Sequence, residues 1–287
     1  MQQKNYQQEI LALIHSGLPQ AELAEKLSDY HENDLADALA ALTPDERQKL
    51  YTVLGVERVA EIFSYLDDAE PYLKELPSEK AANVVSHMDS DDAVDALDDL
   101  EEEDKAKIVG QLDKDSAEDV KMLLSYGEDE IGSSMTTNYI CIRKDMTIRQ
   151  AIDRIRRIAV DKETINTCYV TDSARVLEGV VSLRDLIMAK DEERVGDIME
   201  DNPIAVSTDD LDEDVAQLFS KYDMLVLPVV DREHRLVGII TIDDAVDVIQ
   251  EANTEDFEKM AAMAPSENTY LKTPAFTHAR KRVVWLL

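Results

Sequence analysis

The sequence predicts an all-α region of short repeated helices followed by two copies of one strand–helix–strand–strand–helix unit. Three observations carry that prediction. A twelve-residue apolar period runs through the first 125 residues, a motif is duplicated between Met135 and Gln250, and an acidic helical stripe follows the second copy.

Leu42, Leu54, Leu66, Leu76, Met88, Leu100, Leu112 and Leu124 close successive apolar segments at steps of 12, 12, 10, 12, 12, 12 and 12. Turn or cap signals separate them: Thr43-Pro44, Gly55, Pro77-Ser78, Asp89-Ser90 and Asp113-Lys114-Asp115-Ser116. Such a step holds a helix of about two and a half turns and a tight connection. Helices that short do not persist alone, so they must stack into a superhelical array with a shared inner core. Arrays of this kind serve as scaffolds or recognition surfaces.

The duplicated unit spans Met135 to Lys190 and Met199 to Gln250. Each copy opens with Met and a short apolar run, Tyr139-Ile140-Cys141-Ile142 or Ile204-Ala205-Val206. A helical stretch leads to a hydrophobic strand ending in Asp, Cys168 to Asp172 in one copy and Leu227 to Asp231 in the other. Each closes on Gly, a β-branched pair, a hydroxyl and an Asp three residues on: Gly179-Val180-Val181-Ser182-Leu183-Arg184-Asp185 and Gly238-Ile239-Ile240-Thr241-Ile242-Asp243-Asp244. A unit repeated in this way buries an apolar face of each copy against the other.

That ending resembles the cystathionine-β-synthase (CBS) domain, a βαββα module that occurs in tandem and often binds adenosine nucleotides. The residues also have a local reading. Gly permits a tight entry into a buried strand, and Ser182 or Thr241 can cap the next helix. Asp185 or Asp244 then stands in the first turn, where the helix dipole favours an acid. Capping and ribose recognition both fit these aspartates.

The charge balance is extreme, with 62 acidic against 30 basic residues and a formal net charge of −32. Such a surface repels nucleic acid and anionic lipid, and its natural counter-charge is a cation; a solubility surface is the alternative. Hydrophobic content of 44% is enough for real cores. Cys141 and Cys168 lie singly in apolar runs, as buried thiols of a reducing cytoplasm do. The polar, Gln-rich start before Tyr6 has no signal-peptide pattern.

The acids are also placed in patterns. From Met88 to Asp104, ten of seventeen residues are acidic and none is basic. Asp91, Asp95 and Asp98 follow helical spacing on one face, with Ala93, Val94, Leu97 and Leu100 on the other. A calcium-loop reading fails, because Val94 stands where the loop needs Gly and Leu100 where it needs Glu. A second stripe, Asp244, Asp247, Glu251, Glu255 and Glu258, steps by 3, 4, 4 and 3. Two acidic faces approach in water only with positive charge between them, and like charges about 4 Å apart repel by roughly 4 kcal/mol at a surface-like dielectric. Magnesium suits such a seam, since it keeps much of its water and takes oxygen ligands from few carboxylates.

Near the chain's end, Arg280-Lys281-Arg282 leads into Val283-Val284-Trp285-Leu286-Leu287. Basic residues before Trp and Leu are how the cytoplasmic edge of a membrane helix begins; a docked amphipathic helix is the alternative. Enzyme signals are lacking. There is no phosphate-binding Gly-Lys loop, the five histidines have no metal-ligand spacing, and neither cysteine has a neighbouring His.

An acidic helical superhelix, tandem CBS units and an acidic helix leading toward an apolar segment together resemble the cytosolic part of an MgtE-type magnesium transporter. The resemblance is carried by Tyr126-Gly127-Glu128-Asp129-Glu130-Ile131-Gly132-Ser133-Ser134-Met135-Thr136, by Val181 to Ile187, and by Tyr222 to Asp231 with Leu236 to Val248. It implies a superhelical N-terminal domain over 1–130, CBS domains over 131–195 and 196–252, a connecting "plug" helix over 244–276, and the start of a membrane helix at 277–287. By the same resemblance this is the cytoplasmic segment of a multi-pass membrane protein, a homodimer through its CBS domains that acts on its own membrane pore domain and binds neither nucleic acid nor substrate for catalysis. The resemblance further implies that magnesium glues the N-terminal domain to the CBS pair and that the plug helix closes the pore.

Position by position, the resemblance implies magnesium sites at Glu61, Asp91 and Asp95, at Glu213, Asp223, Asp244 and Asp247, and at Glu255 and Asp256 on the plug helix. Leu211 and Ala252 depart from it, falling where the family carries acids beside Asp210, Asp212 and Glu251. ATP in the CBS cleft is also implied, with Ser182, Arg184 and Asp185 as its contacts. The alternative function is an adenine-nucleotide-sensing CBS module on a helical scaffold. An ion sensor needs acidic stripes on separate domains, whereas an adenylate sensor has no use for them.

Overall fold

The computed structural model describes residues 6–66, 68–98, 100–127, 130–159, 162–246 and 248–249. The chain divides between Ser125 and Tyr126 into two compact units.

Among the described residues the first unit is helical throughout: α1 (Tyr6–Ile14), α2 (Gln20–Leu27), α3 (Glu32–Leu39), α4 (Pro44–Leu54), α5 (Val56–Phe63), α6 (Glu70–Lys74), α7 (Ser78–Val85), α8 (Ser90–Asp98), α9 (Glu102–Val109) and α10 (Lys114–Leu123). Helices α2 to α5 start twelve residues apart, as do α7 to α10, and the register slips at the five-residue α6. That slip is the ten-residue step from Leu66 to Leu76 in the sequence.

Alternate helices stack. Helix α1 packs on α3, α3 on α5, α5 on α7 and α7 on α9, while α2 packs on α4 and α8 on α10. The inner core comes from helix residues such as Leu35, Leu39, Leu50, Ile62, Phe63, Leu73 and Leu97. Of the periodic residues that end the segments, Leu42, Met88 and Leu100 are buried, whereas Leu54, Leu66, Leu76, Leu112 and Leu124 are only partly covered. They sit at helix ends, beside the turns.

Two arginines close helix ends. Arg47, buried, donates to the carbonyls of Leu39 and Leu42 at the end of α3 and pairs with Glu75. Arg58 donates to the Leu27 and Tyr30 carbonyls after α2 at 2.8 and 2.9 Å. A cation there satisfies orphan carbonyls and opposes the negative end of the dipole.

The second unit begins with the short α11 (Ile131–Ser134). The first repeat is β1 (Cys141–Ile142), α12 (Ile148–Ile158), β2 (Thr167–Thr171), β3 (Leu177–Ser182) and α13 (Leu183–Met188). After α14 (Val195–Ile198) and β4 (Glu200–Asp201) comes the second: β5 (Val206–Ser207), α15 (Asp212–Tyr222), β6 (Val226–Val230), β7 (Leu236–Thr241) and a helix beginning at Ile242. In each repeat the first strand runs parallel to the second and the second antiparallel to the third, with register shifts at Val170/Thr171 and Val229/Val230. The predicted duplication is thus realised down to its irregularity.

The repeats exchange their opening segments. Strand β4 pairs with β3 of the first repeat, Gly179 opposite Asp201, and Thr136 bridges to Ile239 of β7. The hairpin tips also meet: Leu177 N donates to His234 O (3.0 Å) and Leu236 N to Arg175 O (2.9 Å). Arg175 and His234 are both left-handed, at φ 66° and 60°. One core fills the first repeat, around Ile140, Ile148, Ile155, Cys168, Val181 and Leu186. A second joins Tyr169 and Leu177 to Val226, Val230, Leu236 and Ile239, so each repeat covers the other.

Cys168 is buried as expected, but Cys141 is half-buried, its Sγ 2.9 Å from Thr171 Oγ1. The reason is topological: β1 is the edge of its sheet.

Candidate functional site

The candidate magnesium ligands of the first unit lie on α5 and α8. Glu61 is exposed on α5, a helix whose Val59, Ala60, Ile62 and Phe63 fill the core. On α8, Ala93, Val94, Ala96 and Leu97 are buried, which turns Asp95 and Asp98 to solvent. Asp91 departs from the expected solvated stripe, being only 9% exposed. It stands in the first turn of α8, where backbone amides and the helix dipole favour a carboxylate. Asp98 accepts from Lys105 of the next helix at 2.8 Å, so a base enters the acidic run from outside it.

In the second unit, Glu213 is exposed in the first turn of α15 and Asp223 is the C-cap of the same helix, left-handed at φ 51°. Asp244 follows the end of β7, where its carboxylate accepts from the Thr241 amide at 3.0 Å and from the Thr241 hydroxyl. It is therefore a capping residue, whatever else it binds. Asp247, Glu255, Asp256 and nearly all of the 244–276 and 277–287 segments lie outside the described residues. Among the described residues, no three Asp, Glu, His or Cys side chains converge closely enough to hold a metal ion. The donors present are carboxylates, the hard oxygen ligands that suit a magnesium ion retaining its water.

The first repeat's nucleotide candidates converge better. Ser182 is the N-cap of α13: its Oγ accepts from the Asp185 amide at 3.0 Å and donates to Asp185 Oδ2 at 2.6 Å. Arg184 and Asp185 are exposed beside it. The Leu183 amide donates to Asn166 O (2.9 Å), and the Glu163 amide to Asn138 O (2.9 Å). The start of α13 is thereby set against the 163–166 loop, which is itself tied to the 137–139 segment. Asn138, Glu163 and Asn166 were not read from the sequence; their only signal is a pair of short polar runs flanking the strands. At the matching place in the second repeat, Ile242 N donates to Leu225 O (3.0 Å), and Leu225 is 68% exposed. An apolar side chain stands there instead of an amide.

Taken together, these features define a helical-repeat unit joined to a tandem CBS pair. The family model for the MgtE intracellular N domain matches residues 30–129, and that for the CBS domain matches 129–192 and 195–251. The magnesium transporter MgtE of Bacillus subtilis is 33% identical over 275 residues, covering 91% of this chain and 60% of the relative. The crystal structure of the soluble part of a magnesium transporter superposes with a TM-score of 0.82 at 34% identity, over 86% of this chain and 99% of the other. The cytosolic domain of the Mg2+ channel MgtE in complex with ATP gives 0.77 at 38% identity, over 84% and 99%. The chain belongs to the MgtE family. It spans 38–60% of the length of the curated MgtE relatives from Thermus thermophilus, Enterococcus faecalis and Bacillus subtilis. No helix among the described residues is long and apolar enough to cross a membrane.

Proposed function

We propose that this chain is the magnesium-responsive cytosolic region of a magnesium transporter, a negative-feedback regulator rather than an enzyme. The observation that carries the reading is the placement of acid. Glu61, Asp91 and Asp95 stand on one unit; Glu213, Asp223 and Asp244 stand on the other, with Asp247, Glu255 and Asp256 following in sequence. With magnesium scarce, these carboxylates repel and the units separate. As magnesium rises, shared hydrated ions replace repulsion with attraction, and the compact form gains population by mass action. In the full-length membrane protein, closure through the plug helix shuts the pore. Several ions acting on one rearrangement make the response steeper than a single-site curve.

Small-angle scattering with and without magnesium tests the compaction, and Asp91→Asn, Asp95→Asn, Asp247→Asn combined tests its origin. The triple variant keeps shape but loses three charges, and should lose magnesium-induced protease protection. Compaction of that variant at the parent's magnesium concentration would sink the reading.

ATP in the first repeat is the companion proposal, favoured by the polar groups around Ser182 and Asp185 and by the ATP complex of the similar MgtE domain. A second copy of the chain is the proposed partner. Ile187 and Met188 are 66% and 78% exposed on α13, and Val246 and Ile249 are exposed on the helix after β7. Bare apolar helix faces of this kind mark interfaces. A monomer by sedimentation at tens of micromolar, with magnesium and with EDTA, would exclude it.

A further inference from the structure

The second unit begins with a segment stitched to one place. The Tyr126 ring lies over Gly132: a Cβ on that glycine would fall 2.3 Å from the ring. The Tyr126 and Thr208 hydroxyls share a hydrogen bond, and burial pushes the Tyr126 phenol's pKa up. Backbone bonds run from Ile131 N to Asp210 O (2.9 Å) and from Gly132 N to Thr208 O (3.1 Å). Glu130 bridges to Leu211, and Ser134 Oγ donates to Asp212 Oδ2 at 3.1 Å. Ile131 is fully buried. Every one of these anchors lies in residues 208–212, which run from the end of β5 into the first residue of α15, and the next residue is Glu213.

We infer that Tyr126, Gly127 and Glu130–Ser134 form a docked strap that leads from the helical unit to the start of α15, with Tyr126 as its positioning residue. The inference rests on the magnesium-sensor reading above. Motion of the first unit then pivots before Tyr126, and its load reaches the carboxylates at the start of α15 rather than the first repeat. Glycine at 132 is required because any side chain would displace the Tyr126 ring. The Ser134–Asp212 bond places the strap's far end in the first turn of α15.

Amide hydrogen exchange and a magnesium titration of protease protection, on the whole chain, test this together. In the unmodified protein the Ile131 and Gly132 amides should exchange slowly. Tyr126→Ala should speed both about tenfold, a loss of roughly 1.4 kcal/mol of local protection, while Val229 and Ile240 stay protected. The same variant should raise the magnesium midpoint about fivefold. Tyr126→Phe, which keeps the ring on Gly132, should restore most of both. Fast exchange at Ile131 and Gly132 in the unmodified protein overturns the docking. An unchanged magnesium midpoint in Tyr126→Ala, with the amides freed, overturns the coupling. Absence of any magnesium response in the unmodified protein removes the sensor reading and the coupling with it. Slow amides would then distinguish that failure from a failure of docking.

Discussion

Met135, which opens the first repeat, fills the space over Gly238, which closes the second: a Cβ on Gly238 would fall 2.5 Å from the Met135 sulfur. The reciprocal contact sets Met199, opening the second repeat, against Gly179 of the first, where a Cβ would fall 3.2 Å from sulfur and 2.6 Å from the Glu200 carbonyl. Each repeat is thus completed by the other's first residues, which is why neither copy is a closed unit alone.

That exchange predicts unequal costs for two similar substitutions. Gly238→Ala meets chiefly the flexible Met135 thioether, with the Thr136 carbonyl tight at 3.0 Å, so it should cost about 1–2 kcal/mol. Gly179→Ala meets backbone that cannot turn aside and should cost about 3 kcal/mol. In a double-mutant cycle, Met135→Ala should recover part of the Gly238→Ala loss and none of the Gly179→Ala loss. Urea denaturation of the three single and two double variants measures this, and equal losses at the two glycines would refute it.

The first unit depends on Arg47. Glu75 beside it raises the guanidinium's pKa, and Tyr72 lies under it at 5.2 Å. Arg47→Ala strips a donor from two carbonyls and leaves Glu75 partly buried without its partner, so it should cost about 3 kcal/mol. Glu75→Gln keeps an acceptor for the guanidinium and should cost about 1 kcal/mol. Equal losses for the two variants in chemical denaturation would contradict this ordering.

Burial pushes the Cys168 thiol up to about 12, with Cys141 nearby as the lesser cause. An unfolded thiol ionises near pH 8.5. The folded state therefore holds this proton more tightly; its contribution to stability is full below about pH 8 and is lost as pH rises toward the folded value. At pH 8 a thiol reagent should modify Cys141 while sparing Cys168 until the protein unfolds. Cys168→Ala should flatten the fall in the urea midpoint between pH 8 and 10. Rapid modification of both thiols in the folded protein would be the contrary result.

Asp185 serves the α13 cap, so its alanine variant confounds binding with folding. Asp185→Asn keeps an acceptor for Ser182 but removes the charge. If the carboxylate accepts from a ribose, calorimetry should show ATP affinity falling about tenfold, or 1.4 kcal/mol, with thermal stability nearly unchanged. Retention of full ATP affinity would leave Asp185 as a cap alone.

Much of this architecture is legible from the residues because local physics dictates it. The twelve-residue period set the spacing of helices α2 to α5 and α7 to α10, since a short amphipathic helix and its turn have a fixed length. The ten-residue step from Leu66 to Leu76 even marked the place where α6 is shortened. The duplicated Gly-to-Asp motif carried the strand order within each repeat, because alternation and a hydroxyl cap are properties of consecutive residues. The family, too, was legible as a resemblance, carried by the order of the domains and by the stretches Tyr126–Thr136, Val181–Ile187, Tyr222–Asp231 and Leu236–Val248. What only the tertiary structure decided is where distant residues meet. The burial of Asp91 depends on where the first turn of α8 is packed. The half-exposure of Cys141 depends on β1 being an edge. The setting of Asn138, Glu163 and Asn166 around α13 depends on hydrogen bonds between segments that share no period. The exchange of Met135 and Met199 between repeats lies furthest beyond the sequence. Two copies of one motif carry the same pattern whether each glycine is covered by its own methionine or by its neighbour's. Only the pairing of each opening segment with the last strand of the other repeat, which leaves no room for a Cβ at Gly179 or Gly238, selects the neighbour's.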